Sequence, residues 1–123
     1  MNRKTRQREA IRSVFAKARR PLGPQEILSL AQDDVPGLGI ATVYRTVKGL
    51  VEEGWLAPID IPGQPTCYEA ADMEHHHHFH CRGCGRVYDV DGCPGNVLSI
   101  GPPGFKVEAH EVILYGRCTA CIA

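Results

Sequence analysis

The chain has 123 residues, of which 43% are hydrophobic and 23% are charged, a composition typical of a folded globular protein rather than a disordered one. It has no run of about 18 apolar residues and no apolar segment after its charged start, so we expect a cytoplasmic protein with neither a membrane span nor a signal peptide. The 14 basic and 14 acidic residues give a net charge of zero. Eight basic residues but only one acidic residue lie among the first twenty, and such a basic cluster is either a solvated helix face or a surface that binds phosphate.

The first half of the chain carries three helical patterns. Apolar residues recur at three- and four-residue steps over 5–18, over 25–32, and through Val43, Val47 and Leu50. Pro24 is suited to the first turn of the second helix, and Gly54 is suited to the C-terminus of the third. Two extended segments, 55–61 and 66–70, flank turn-forming residues. Three short helices followed by a hairpin predict a winged helix-turn-helix, in which the third helix enters the major groove of DNA.

The composition changes after a predicted hinge at residues 71–74 to histidine, cysteine, glycine and residues that favour strands. Strands are predicted over 76–81, 87–90 and 106–115, with a Pro/Gly-rich stretch at 92–104. The expected fold is therefore α+β, with a winged-helix domain over residues 1–70 and a small α/β domain over residues 75–123.

Four of the six cysteines form two Cys-x-x-Cys pairs, Cys81 with Cys84 and Cys118 with Cys121. Two such pairs supply four soft thiolates, which match the tetrahedral preference of zinc. A site closed by four protein ligands has no open position, so this zinc would be structural. The alternative is a set of free thiols or a redox pair. Cys67 and Cys93 remain unassigned.

Five histidines lie within residues 75–80, directly before Cys81. If this segment is a strand, His76 and His78 share one face with His80, whereas His75 and His77 lie on the other. Such an arrangement could serve two different metal ions. Imidazole binds zinc, iron, nickel and copper, so the histidines alone name no metal.

The third helix has two chemically distinct faces. Val43 and Val47 point inward, whereas Tyr44, Arg45 and Lys48 project from the other side. Arginine can form paired hydrogen bonds with guanine, and tyrosine can contact a thymine methyl or a phosphate, so this face suits the major groove. An ordinary exposed polar face is the alternative.

Taken in order, three motifs resemble the ferric uptake regulator family over nearly the whole chain: Ala41-Thr-Val-Tyr-Arg45, the histidine run leading into Cys81-x-x-Cys84-Gly, and Leu114-Tyr-Gly-x-Cys118 with Cys121. The resemblance implies a homodimeric winged-helix repressor whose C-terminal half mediates dimerisation. It further implies that the metal-loaded form binds an inverted-repeat DNA operator. In this comparison Tyr44 and Arg45 match base-contacting residues, Arg8 matches a contact to the DNA backbone, and the paired cysteines match structural zinc ligands.

The resemblance also implies a regulatory metal site formed by Glu69, His76, His78 and Asp89, and a further site present in some members, formed by His75, His77 and His110. The chain departs from the family at two places. Many members have another histidine ligand just before the second helix, where this chain has Arg20-Pro21. Many also have a helix between the middle strands of the second half, where residues 92–104 disfavour one.

We therefore predict a metal-responsive repressor of genes for metal homeostasis or peroxide stress, with structural zinc and a regulatory divalent ion of iron, manganese, zinc or nickel. Glutamate and aspartate beside histidine favour iron or manganese, whereas a thiolate such as Cys67 would favour zinc. Two alternatives are a zinc-stapled protein-interaction module and a metalloenzyme. We expect no enzyme, because the available carboxylates resemble ligands rather than a general base, and catalysis would leave the basic first helix unexplained.

Overall fold

The computed structural model of the chain describes residues 2–71, 74–93 and 97–122, without the side chains of residues 97 and 98. The fold is α+β, as predicted, and divides into two compact units, Met1–Met73 and Glu74–Ala123. Residues 72 and 73 of the predicted hinge lie outside the described residues. Within the described part, no helix combines the length and the apolar character that crossing a membrane requires.

Three helices form most of the first unit: α1 (Arg3–Ala18), α2 (Pro24–Ala31) and α3 (Ile40–Glu52). The side chain of Asn2 caps α1 by accepting a hydrogen bond from the Thr5 backbone N–H at 2.8 Å. Just after α3, Gly54 has a φ of 79° and donates its N–H to the Val51 carbonyl oxygen, an arrangement that ends a helix and favours glycine. The predicted helices are therefore present, with ends that differ by a few residues.

A two-stranded antiparallel hairpin, β1 (Leu56–Ile59) and β2 (Cys67–Ala70), follows the helices. Leu22 and Tyr68 exchange backbone hydrogen bonds of 2.9 Å in both directions, which ties β2 to the segment before α2. The helices and the hairpin enclose one apolar core, whose fully buried members include Ile11, Leu22, Ile27, Val43, Leu50 and Leu56. This packing produces the winged-helix layout and leaves the opposite face of α3 exposed.

The second unit is built on a three-stranded sheet of β3 (His77–Cys81), β4 (Val87–Val90) and β5 (Ile113–Gly116), with a 3-10 turn at Val97–Ile100 and a final short helix α4 (Thr119–Ile122). The strand order is β4-β3-β5, with β3 antiparallel to β4 and parallel to β5. The strand that carries the histidines is therefore central, so residues that flank both neighbouring strands can approach it.

Strand β5 is much shorter than the predicted strand over 106–115. Its parallel ladder with β3 begins at the pair His78 and Ile113. Extending it backwards by more than one residue would require strand structure before His77, where β3 begins. Within the Pro/Gly-rich stretch, the described residues form a single 3-10 turn rather than an α-helix.

Candidate metal centres and nucleic-acid interface

Four cysteines meet at one end of the three-stranded sheet. Cys81 ends β3 and Cys84 lies in the following turn, whereas Cys118 precedes Cys121 of α4. Because β3 and β5 run parallel, with Cys81 opposite Gly116, both Cys-x-x-Cys segments leave the sheet at the same end. The four sulfur atoms all lie within 4.8 Å of one another. We call this group the four-cysteine cluster.

The geometry of the four-cysteine cluster fits zinc. The Sγ atoms of Cys84 and Cys118 are 3.9 Å apart, close to the edge of roughly 3.8 Å expected for tetrahedral zinc with bonds of about 2.3 Å to sulfur. The backbone N–H groups of Cys118 and Cys84 point at Cys81 Sγ, at 3.3 and 3.5 Å, and lower the pKa of Cys81 to about 5. Hydrogen bonding to the Cys118 and Cys81 sulfurs raises the pKa of Cys121 to about 12. At neutral pH the cluster therefore contains a thiolate, the form that binds a cation.

A second group of donors lies across β3 and β4. His78 pairs with Asp89 across the antiparallel ladder, and His76 comes two residues earlier. Asp89 Oδ1 is 3.2 Å from His76 Nε2 and 3.6 Å from His78 Nε2, and all three side chains are largely buried. His76 Nδ1 lies 2.7 Å from the Glu74 carbonyl oxygen, which can only accept, so Nδ1 carries a proton and donates it to this oxygen, while Nε2 faces Asp89. We call these three residues the Asp89 cluster.

A third group contains a residue that sequence reasoning left unassigned. His75, His77 and His110 converge as the family resemblance implied, and Cys93 lies among them. Cys93 Sγ is 3.3 Å from His77 Nε2 and 3.2 Å from His110 Nε2. In the sequence, Cys93 is distinguished only by lying outside the two Cys-x-x-Cys pairs and close to other metal-binding residue types. We call these four residues the Cys93 cluster.

His77 is the most buried histidine of the Cys93 cluster, with 2% of its surface exposed. Burial, together with repulsion from His75 and His110, lowers the pKa of His77, so the ring is neutral at neutral pH. Val112 donates its backbone N–H to His77 Nδ1 at 3.1 Å, which leaves the ring proton on Nε2. A cation bound at Nε2 therefore requires the proton to move to Nδ1 and this contact to lengthen.

Two expected features of the regulatory site lie in the first unit. Glu69 is on β2, paired with Ala57, and its role as a ligand stays a prediction. At the position where many family members have another histidine, Arg20 instead forms an ion pair with Glu26, with N–O distances of 2.5 and 3.3 Å. Burial raises the pKa of the neighbouring Cys67 thiol, which favours its neutral form.

The exposed face of α3 carries Tyr44, Arg45 and Lys48. Arg45 donates to the Thr42 hydroxyl at 3.0 Å, and Arg8 of α1 forms an ion pair with Glu53. A groove of about 360 Å³ runs between α1 and α3, with the side chains of Lys4, Arg8, Thr42 and Arg45 among its lining. The basic side chains predicted to contact DNA therefore share one surface of the first unit.

Comparison with known proteins identifies the family of the chain. The model of the ferric uptake regulator family matches residues 2–115. The ferric uptake regulation protein of Campylobacter jejuni is 30% identical over 122 residues, which are 95% of this chain and 78% of that protein. The Helicobacter pylori ferric uptake regulator, whose structure is described as having three functional metal-binding sites, superposes with a TM-score of 0.72 at 26% identity, covering 100% of this chain and 83% of that one.

A zinc-bound manganese uptake regulator superposes with a TM-score of 0.79 at 25% identity, over 91% of this chain and 87% of that chain. These findings confirm the resemblance seen in the sequence motifs. The family consists of regulators rather than enzymes. The chain belongs to the ferric uptake regulator family and is a metal-responsive transcriptional regulator.

Proposed function

We propose that the chain is a homodimeric repressor that binds an inverted-repeat DNA operator when a divalent metal ion occupies the Asp89 cluster. The main support for this proposal is that two imidazoles and one carboxylate converge: Asp89 Oδ1 lies 3.2 Å from His76 Nε2 and 3.6 Å from His78 Nε2. Imidazole and carboxylate together suit divalent first-row ions, including iron, manganese, nickel and zinc.

Three donors leave room for further ligands, because these ions accept four to six. Glu69, which the family resemblance implies, is our proposed fourth ligand. Because the ligands would then come from both units, a bound metal ion would restrict the movement of one unit relative to the other. If DNA binds the restricted form better, metal and DNA strengthen each other's binding by the same factor.

The proposed DNA contacts rest on the exposed surface of α3 and on its basic neighbour α1. Tyr44, Arg45 and Lys48 are exposed on one face of α3, and Arg8 adds a positive charge from α1. In a homodimer, two such helices would occupy successive major grooves about 34 Å apart, which matches an operator of two inverted half-sites.

The four-cysteine cluster is proposed to hold structural zinc rather than the regulatory ion. It supplies four protein ligands and therefore leaves no open position for exchange. Genes for metal homeostasis or peroxide stress are the proposed targets. A protein-interaction module would give no salt-dependent DNA binding, so measuring DNA affinity against salt concentration separates the two functions.

The experiment that tests the metal switch compares two double variants within the same run of histidines, residues 75–78. His76→Ala with His78→Ala should keep the fold and the tightly held zinc but lose metal-stimulated operator binding, a coupling typically worth about 1 to 3 kcal/mol. The matched control is His75→Ala with His77→Ala, which removes the same number of imidazoles from the Cys93 cluster. If the first variant keeps its metal dependence and the control loses it, sensing belongs to the Cys93 cluster.

A further inference from the structure

We propose that Cys93 is a metal ligand, and that it makes the Cys93 cluster a tetrahedral site selective for zinc over manganese and iron(II). The structure brings three imidazoles and one sulfur together, with each member in contact with at least two others. Metal binding by the Cys93 cluster does not depend on whether the Asp89 cluster controls DNA binding.

The distances within the Cys93 cluster fit a small cation. His75 Nε2 is 3.2 Å from both His77 Nε2 and His110 Nε2. Cys93 Sγ is 3.2 Å from His110 Nε2, 3.3 Å from His77 Nε2 and 3.7 Å from His75 Nε2. A regular tetrahedron with edges of about 3.3 Å has its centre about 2.0 Å from each corner, which is the usual distance from zinc to a histidine nitrogen.

The sheet explains why these four residues meet. His77 pairs with Val90 at the end of β4, so Cys93, three residues later, comes back beside the start of β3. On the other side of β3, the ladder with β5 begins at Ile113, so His110, three residues earlier, reaches the same place. The ligands therefore come from three separate segments that the sheet holds together.

The chemistry of the donors determines the preferred ion. A thiolate is a soft ligand and favours zinc, whereas manganese and iron(II) bind better to oxygen donors and accept higher coordination numbers. Three neutral imidazoles and one thiolate leave a bound zinc ion with one net positive charge. On binding, the Cys93 sulfur exchanges its proton for the metal, and the proton passes to water.

Cobalt(II) reports directly on the sulfur bond, because a thiolate ligand adds an intense near-ultraviolet charge-transfer band to the cobalt spectrum. The full chain is first loaded with one equivalent of zinc to fill the four-cysteine cluster, in a background of His76→Ala and His78→Ala that removes the competing histidines. Cobalt is then titrated into this protein and into the same protein carrying Cys93→Ser. Cys67→Ser provides the control, because Cys67 belongs to the other unit.

We expect the charge-transfer band in the protein with unchanged Cys93 and in Cys67→Ser, and we expect it to be absent in Cys93→Ser. Zinc affinity at the second equivalent, measured by chelator competition, should fall at least tenfold in Cys93→Ser, because losing even an outer-shell partner of a metal ligand costs about 10- to 100-fold. Cys93→Asp should restore the number of ligands but lower the ratio of zinc to manganese affinity. Cys93 is exposed, so neither change removes core packing. An unchanged band or an unchanged zinc affinity in Cys93→Ser overturns the proposal.

Discussion

Gly83 provides a sharp test of the four-cysteine cluster, because the structure leaves no room for a side chain there. A Cβ atom at this position would lie 2.8 Å from Cys121 Sγ and 2.9 Å from Cys121 Cβ. Ordinary contact begins near 3.4 Å, so Gly83→Ala must displace the sulfur by about 0.6 Å, three times the tolerance of about 0.2 Å for a metal–ligand distance. We therefore expect Gly83→Ala to weaken zinc binding and to destabilise the second unit by about 1 to 3 kcal/mol, the usual cost of overpacking.

The matched control is Gly92→Ala, in the same unit, where an added Cβ meets no atom of the described residues within 4 Å. Zinc content is measured on the full chain before and after exposure to a chelator, together with the thermal unfolding of the zinc-loaded protein. Gly83→Ala should release zinc much faster than Gly92→Ala and should unfold at a lower temperature. If both variants retain zinc and unfold like the unchanged chain, Cys121 does not belong to a site with this geometry.

Three further predictions concern the zinc ligands and the DNA-contacting surface. Cys118→Ser should lose the tightly held zinc and lower the melting temperature of the second unit, because metal binding is coupled to folding; full zinc content would exclude Cys118 as a ligand. Arg45→Ala should weaken binding to the specific operator by about 1 to 3 kcal/mol, whereas Arg8→Ala should mainly reduce the salt slope by about one; equal losses on specific and random DNA would remove base recognition from Arg45. Glu53→Gln should strengthen DNA binding in a low-salt titration by up to about 1 kcal/mol, because it frees Arg8 from an exposed ion pair; unchanged affinity would argue against a phosphate contact by Arg8.

The sequence by itself determined the helices of the first unit and the nature of the donor groups. Helical periodicity and the glycine after α3 are local signals, so they indicated the order of elements without knowledge of any contact. The two Cys-x-x-Cys spacings identified all four members of the four-cysteine cluster for the same reason. Alternation along a strand likewise separated His76 and His78 from His75 and His77.

Only the tertiary structure decided the strand pairing by which distant residues reach these local groups. The parallel pairing of β3 with β5 brings Cys118 beside Cys81 and His110 beside His75, and nothing in the sequence indicates that register. It also leaves β5 four residues long, where local pattern predicted a longer strand. Cys93 became a candidate ligand because the β3–β4 ladder returns the chain to the start of β3, and such proximity depends on pairing between strands rather than on neighbours in sequence.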